Sequence, residues 1–181
     1  GTHPLRGVNP ATGAVIYYNL PELPDSVSVE MIIRDGSGDL VRQLSSVGDS
    51  NYQGWAGGPP PEPTISKTTG LNRFVWDLRY SNMGGVPGVY IEASYRRHKA
   101  GPGNYTVELS YGDWSETQRL IIKANPLYPI TADDYEAYHD FMTTMENEVD
   151  EMHQSVNTLS ETKKRINSIL GKLPTEEKYA Q

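Results

Sequence analysis

The chain contains no cysteine. That excludes disulfides and thiolate metal sites, and it suits either the cytosol or a bacterial secreted protein. No run of about 18 apolar residues occurs, so no transmembrane helix is expected. Positive charge is in the minority: 16 Lys and Arg stand against 23 Asp and Glu, for a net charge of −7. An acidic chain without a basic stripe is a poor match for nucleic acid or for an anionic membrane surface. Catalytic signatures are missing too. There is no Gly-x-Ser-x-Gly and no phosphate-binding glycine loop, and no motif supplies Asp77 with a second carboxylate across a cleft. Gly1 stands where a start methionine would be, so the chain reads as part of a longer polypeptide. Hydrophobic residues make up 36% of the 181, which leaves part of the chain polar or extended around one core.

What is present centres on Gly70-Leu71-Asn72-Arg73-Phe74-Val75-Trp76-Asp77-Leu78-Arg79-Tyr80. From Asn72 onward Phe74, Trp76, Leu78 and Tyr80 share one face, while Arg73, Val75, Asp77 and Arg79 share the other. This period of two predicts a half-buried strand with Trp76 at the centre of the core. Asp77 is expected to pair with Arg73 or Arg79 on its own face. Further strands are expected over 14–20, 26–34, 40–44, 105–111 and 116–124, and a short one over 89–92. Asp35-Gly36-Ser37-Gly38-Asp39 marks a hairpin, because glycine supplies the positive φ of a tight turn. Residues 45–69, with Pro59-Pro60-Pro61, and residues 81–102 read as long irregular loops. Strands joined by turns with no intervening helix predict an all-β antiparallel sandwich over residues 1–125. Tyr105, just after Gly101-Pro102-Gly103, is placed to form a tyrosine corner.

Asn125-Pro126-Leu127-Tyr128-Pro129 predicts a stiff linker over 126–130. Thr131 is the expected cap of a long helix, with Asp133 and Asp134 against its positive end. The segment 131–173 would be roughly 64 Å long. Apolar residues recur at spacings of three and four: Tyr135, Tyr138, Met142, Met145, Val149, Met152, Val156, Leu159, Ile166, Leu170 and Leu173, with Lys163 the one interruption. Such a seam is a coiled-coil surface. The weak helix formers Ser155-Val156-Asn157-Thr158 leave a break there open; the unbroken phase of the seam favours one helix. The acids of Asp133 to Glu151 and the cations Lys163, Lys164, Arg165 and Lys172 favour an antiparallel pair of copies centred near Ser155. Glu146 and Glu148 would then face Lys163 and Lys164 of the second copy.

The stretch 70–80, followed by Pro102-Gly103-Asn104-Tyr105-Thr106-Val107-Glu108-Leu109 and preceded by Asn9-Pro10-Ala11-Thr12-Gly13-Ala14-Val15-Ile16-Tyr17-Tyr18, resembles the immunoglobulin-like module of the flagellar hook-capping protein. It is similar, more closely, to the C-terminal tail of secreted sortilin-like, BNR-repeat β-propeller proteins. The resemblance covers residues 7–125 and, less specifically, the helix. It implies an immunoglobulin-like fold, an extracytoplasmic location, and the parent polypeptide as partner, through its propeller and a following helix. Any hydrolase activity would belong to the propeller, and no propeller repeat is present.

The remaining polar and aromatic features have two readings each. His3, His98, His139 and His153 have no close ligand spacing; they read as polar positions, and no metal or cofactor is expected. Arg96-Arg97-His98-Lys99 reads as a solvated loop, with an acidic partner as the alternative. Trp55 and Trp114 either close their own loops or stack on sugar rings. The expected function is a non-catalytic module that supports assembly of its parent and pairs with a second copy through the helix. A carbohydrate-binding accessory domain, or one wall of an active site completed by the propeller, are the alternatives.

Overall fold

The computed structural model describes residues 9–92 and 94–172. His3, the first eight residues, and the tail from Leu173 onward lie outside the described residues. Six strands are followed by one helix: β1 (Ala14–Leu20), β2 (Val29–Arg34), β3 (Leu40–Ser45), β4 (Gly70–Trp76), β5 (Gly103–Tyr111), β6 (Trp114–Ile122) and α1 (Ala132–Leu170). All pairings are antiparallel. β3, β2, β5 and β6 form one sheet in that order, and β1 pairs with β4 in a second. No strand forms over 89–92.

The period-two alternation fills the space between the sheets. Val29, Met31 and Ile33 of β2 and Tyr105, Val107 and Leu109 of β5 point inward. They meet Tyr18 and Leu20 of β1 and Trp76 of β4 in a single core cluster. Trp76 is 1% exposed and packs edge-to-face on Tyr105, with ring centroids 5.8 Å apart. The Tyr105 hydroxyl donates to the Gly101 carbonyl at 2.8 Å, the corner contact expected of it. Burial pushes this hydroxyl's pKa up, so it stays a donor.

The central strand ends earlier than its pattern suggests. Pairing with β1 stops at Trp76, and Leu78 turns into the left-handed region at φ 65°. Two hydrogen bonds hold the turn: Trp76 Nε1 donates to the Arg79 carbonyl at 2.9 Å, and the Arg79 amide donates to the Asp77 carboxylate at 3.1 Å. Asp77 pairs with Arg42 of β3 rather than with Arg73 or Arg79. The strand also requires Gly13 beside it: that residue has φ +136°, and a Cβ there would meet the Trp76 carbonyl oxygen at 2.1 Å.

Thr131 caps α1 in a reciprocal box with Asp134. The Asp134 amide donates to the Thr131 hydroxyl, and the Asp134 carboxylate accepts from the Thr131 amide. These bonds lower the Asp134 pKa. The helix runs without a break through Ser155–Thr158. There, Thr158 and Thr162 donate their hydroxyls to carbonyls four residues back. Its 39 residues span about 58 Å at the α-helical rise. Among the described residues no helix is long and apolar enough to cross a membrane.

Truncating Trp76 to alanine should cost about 3–5 kcal/mol. Tyr105→Phe should cost about 0.5–1.5 kcal/mol by leaving the Gly101 carbonyl short of a donor. Denaturant midpoints measure both, and an unchanged midpoint in either variant contradicts the assignment.

Candidate functional site at the helix junction

The helix lies against the irregular segment between β4 and β5, and polar groups make the junction. His139, Glu146 and His153 recur every seven residues, as do Thr143, Asp150 and Asn157. Each therefore forms a row along one side of α1. The segment opposite presents Gly84, Gly85, Arg97 and His98.

Glu146 is the centre. It is 6% exposed and accepts two hydrogen bonds from His98, one from the backbone amide at 2.7 Å and one from Nδ1 at 2.9 Å. On the far side of the ring, His98 Nε2 and His139 Nδ1 lie 2.8 Å apart and share a hydrogen bond. The result is a hydrogen-bonded line through His139, His98 and Glu146. Tyr80 stacks on His98 with centroids 4.7 Å apart and tilts over His139 at 5.6 Å. Burial, chiefly, raises the Tyr80 pKa far above its ordinary value and keeps it neutral.

Next to this line Arg97 donates to Asp150 at 2.8 Å and to Asn147 at 2.9 Å, with Glu146 at 3.8 Å. Asp150 also accepts from the Gly84 amide at 2.8 Å. One and two turns on, His153 Nδ1 donates to the Gly84 carbonyl and Asn157 donates to the Gly85 carbonyl. Gly85 has no room for a side chain: a Cβ would come within 2.9 Å of Trp55 and of Pro59.

The expected features fall as follows. The run Arg96–Lys99 is not wholly solvated: Arg97 and His98 meet acids of the chain's own helix. Glu146 faces His98, so it is not free to meet a lysine of a second copy as the charge pattern suggested. Of the seam, Tyr135, Met142 and Val149 are half-buried, while Tyr138, Met145, Met152, Val156, Leu159, Ile166 and Leu170 are exposed. Trp55 donates Nε1 to the Val89 carbonyl at 2.9 Å and closes its own loop. Trp114 stacks on Tyr111 at 4.7 Å and is exposed at the start of β6.

Comparison with protein-family models, curated proteins and solved structures finds no match to this chain. The chemistry of the site therefore stands on its geometry. A carboxylate and two imidazoles form a hydrogen-bonded line under the ring of Tyr80, and it borders a cleft of about 380 Å³ with Asp35 and Asp39 of the β2–β3 turn on its wall. Among the described residues no group of three or more His, Asp or Glu is arranged to hold a metal ion.

The seven-residue recurrence of the polar rows was visible in the sequence beside the apolar one. An apolar search passes over it. Weighing His139, Glu146 and His153 as a row, and matching it to a cationic run elsewhere in the chain, is the signal that would have found the junction.

Glu146→Ala leaves the His98 amide and Nδ1 buried without an acceptor, which should cost about 1–3 kcal/mol per unsatisfied group. Hydrogen exchange should accelerate over residues 139–157 and leave β2 and β5 protected. Unchanged protection of the helix would show that Glu146 does not hold it.

Proposed function

We propose that the chain is a non-catalytic interaction module: an immunoglobulin-like sandwich carrying a coiled-coil helix, from the C-terminal region of a larger secreted or cell-envelope protein whose assembly it supports. One observation carries this reading. Tyr138, Met145, Met152, Leu159 and Ile166, one row at seven-residue spacing, are each about half exposed or more, with Leu159 at 70%. The row precedes His139, Glu146 and His153 by one residue and so lies about 100° round the helix from them. The irregular segment between β4 and β5 holds the polar side and leaves the apolar side outward. A contiguous apolar stripe of this length on a rigid helix is an interaction surface.

The sandwich assignment is supported by the two sheets sharing one core, by the buried Trp76 and by the Tyr105 corner. Its second sheet has two strands, fewer than an immunoglobulin domain has. The extracytoplasmic setting rests on the resemblance of residues 7–125, with which the lack of cysteine agrees.

Tyr111 and Trp114 favour a second reading, a carbohydrate-binding accessory domain. Their stacked rings at the β5–β6 turn offer a flat apolar platform of the kind that sugar rings pack on.

Introducing Met152→Glu and Leu159→Glu into the full-length parent should abolish its assembly while the melting of the sandwich stays unchanged. A parent that assembles normally with both substitutions defeats the proposal. Glycan binding that Trp114→Ala removes would establish the second reading in its place.

A further inference from the structure

Resting on the interaction-module reading, we propose that the occupant of the exposed seam is a second copy of this chain, running antiparallel, with the two-fold axis near Ser155. Three observations combine.

The first is the reach of the helix. Asn157 makes the last hydrogen bond between α1 and the β region, and every residue from 158 to 172 is exposed. Thirteen helical residues, 158–170, thus project beyond their support. A helix of about 12–15 residues is marginal in water on its own. The overhang carries Leu159, Ile166, Ile169 and Leu170, all more than half exposed. It needs a surface, and an antiparallel copy supplies one of matching length: the anchored stretch 140–152 of the other helix.

The second is self-complementarity. Phe141 and Ile169 each lie fourteen residues from Ser155, on the same flank of the seam, and both are exposed. Reversal about Ser155 sets Phe141 against Ile169 of the second copy, twice. A parallel pair would put this flank of the two copies on opposite sides of the interface and leave Phe141 and Ile169 apart.

The third is charge. From Asp133 to Glu151 the helix has eight acids and no Lys or Arg, and Lys163, Lys164, Arg165 and Lys172 lie beyond. Glu146 and Asp150 are held by His98 and Arg97, so Glu148 is the exposed acid on the seam's flank. Lys163 occupies a seam position. In parallel copies it would face itself across the interface. In the antiparallel pair it reaches the level of Met145–Glu148 of the second copy, where its ammonium meets Glu148.

The test uses the whole chain, whose lack of cysteine gives a clean background. Phe141→Cys and Ile169→Cys are made separately, checked for an unchanged thermal melt, mixed, and oxidised. The expected product is the mixed dimer linking position 141 to position 169, with little linkage in either variant alone. Ser155→Cys should cross-link to itself. Light scattering should give twice the chain mass, and Leu159→Glu, at a position free of the β region, should weaken the dissociation constant by roughly tenfold to a hundredfold. Self-linkage at 141 and at 169 without the mixed product overturns the proposal. So does a monomer at high concentration, or a dissociation constant that Leu159→Glu leaves unchanged. None of these outcomes touches the interaction-module reading, which fails only if the parent assembles with its seam disrupted.

Discussion

The buried carboxylate of Glu146 sets the orientation of the whole helix. A carboxylate taken out of water must be paired through its oxygens, and both of Glu146's are satisfied by one residue, His98. Because one donor is a backbone amide, the helix is fixed to the path of the chain and not merely to a side chain. Because the other is a ring nitrogen, the imidazole is oriented in turn and His139 is drawn to its far side. The rotation of α1 about its own axis follows, and with it the outward direction of the Tyr138–Ile166 row.

Such a junction specifies more than it stabilises. Hydrogen bonds to charged groups contribute about 1.5–3 kcal/mol each when fully satisfied, and desolvating the charges offsets much of that. Apolar burial has no comparable directionality; a helix docked by its leucines and methionines could slide by a turn. Here the Tyr138–Ile166 row is kept out of the junction and the register is set by groups that tolerate one arrangement. The long loops depend on the same device. Arg42, buried on β3, binds Glu62, Asp77 and the carbonyls of Arg79 and Tyr80, and so ties both irregular segments to the sheet. Lys67 gathers the carbonyls of Pro24, Asp25 and Val27.

The sequence was most legible where one residue's neighbours decide its state. β1 falls on 14–20 as its alternation predicts, the Asp35–Asp39 turn closes its hairpin, and Trp76, Tyr105 and the Thr131 cap take the places expected of them. It was least legible where the partner is far along the chain. Asp77 lies beside Arg73 and Arg79, yet its guanidinium comes from Arg42, 35 residues earlier. The alternation of 72–80 continues to Tyr80 in letters but stops at Trp76 in space, because a side-chain-locked turn overrides it. His98 and Glu146 are 48 residues apart, and nothing local in either segment marks the other. Reading Glu146 as a free charge followed from its position on a polar flank; the flank was the buried side.

A helix with two faces at seven-residue spacing resolves an old ambiguity of heptad patterns. An apolar stripe on a single helix fits equally well against its own domain or against another helix. When the neighbouring row is made of groups that satisfy one another only across a junction, as His139, Glu146 and His153 do with His98 and Gly84, that row claims the intramolecular contact. Among the described residues the apolar stripe is then left exposed from Val156 to Leu170. The selectivity comes from unequal penalties. An apolar side chain left in water loses its burial energy, whereas a carboxylate or imidazole buried in the wrong register loses its hydration and gains no partner. The larger penalty sets the orientation, and the exposed stripe is its consequence.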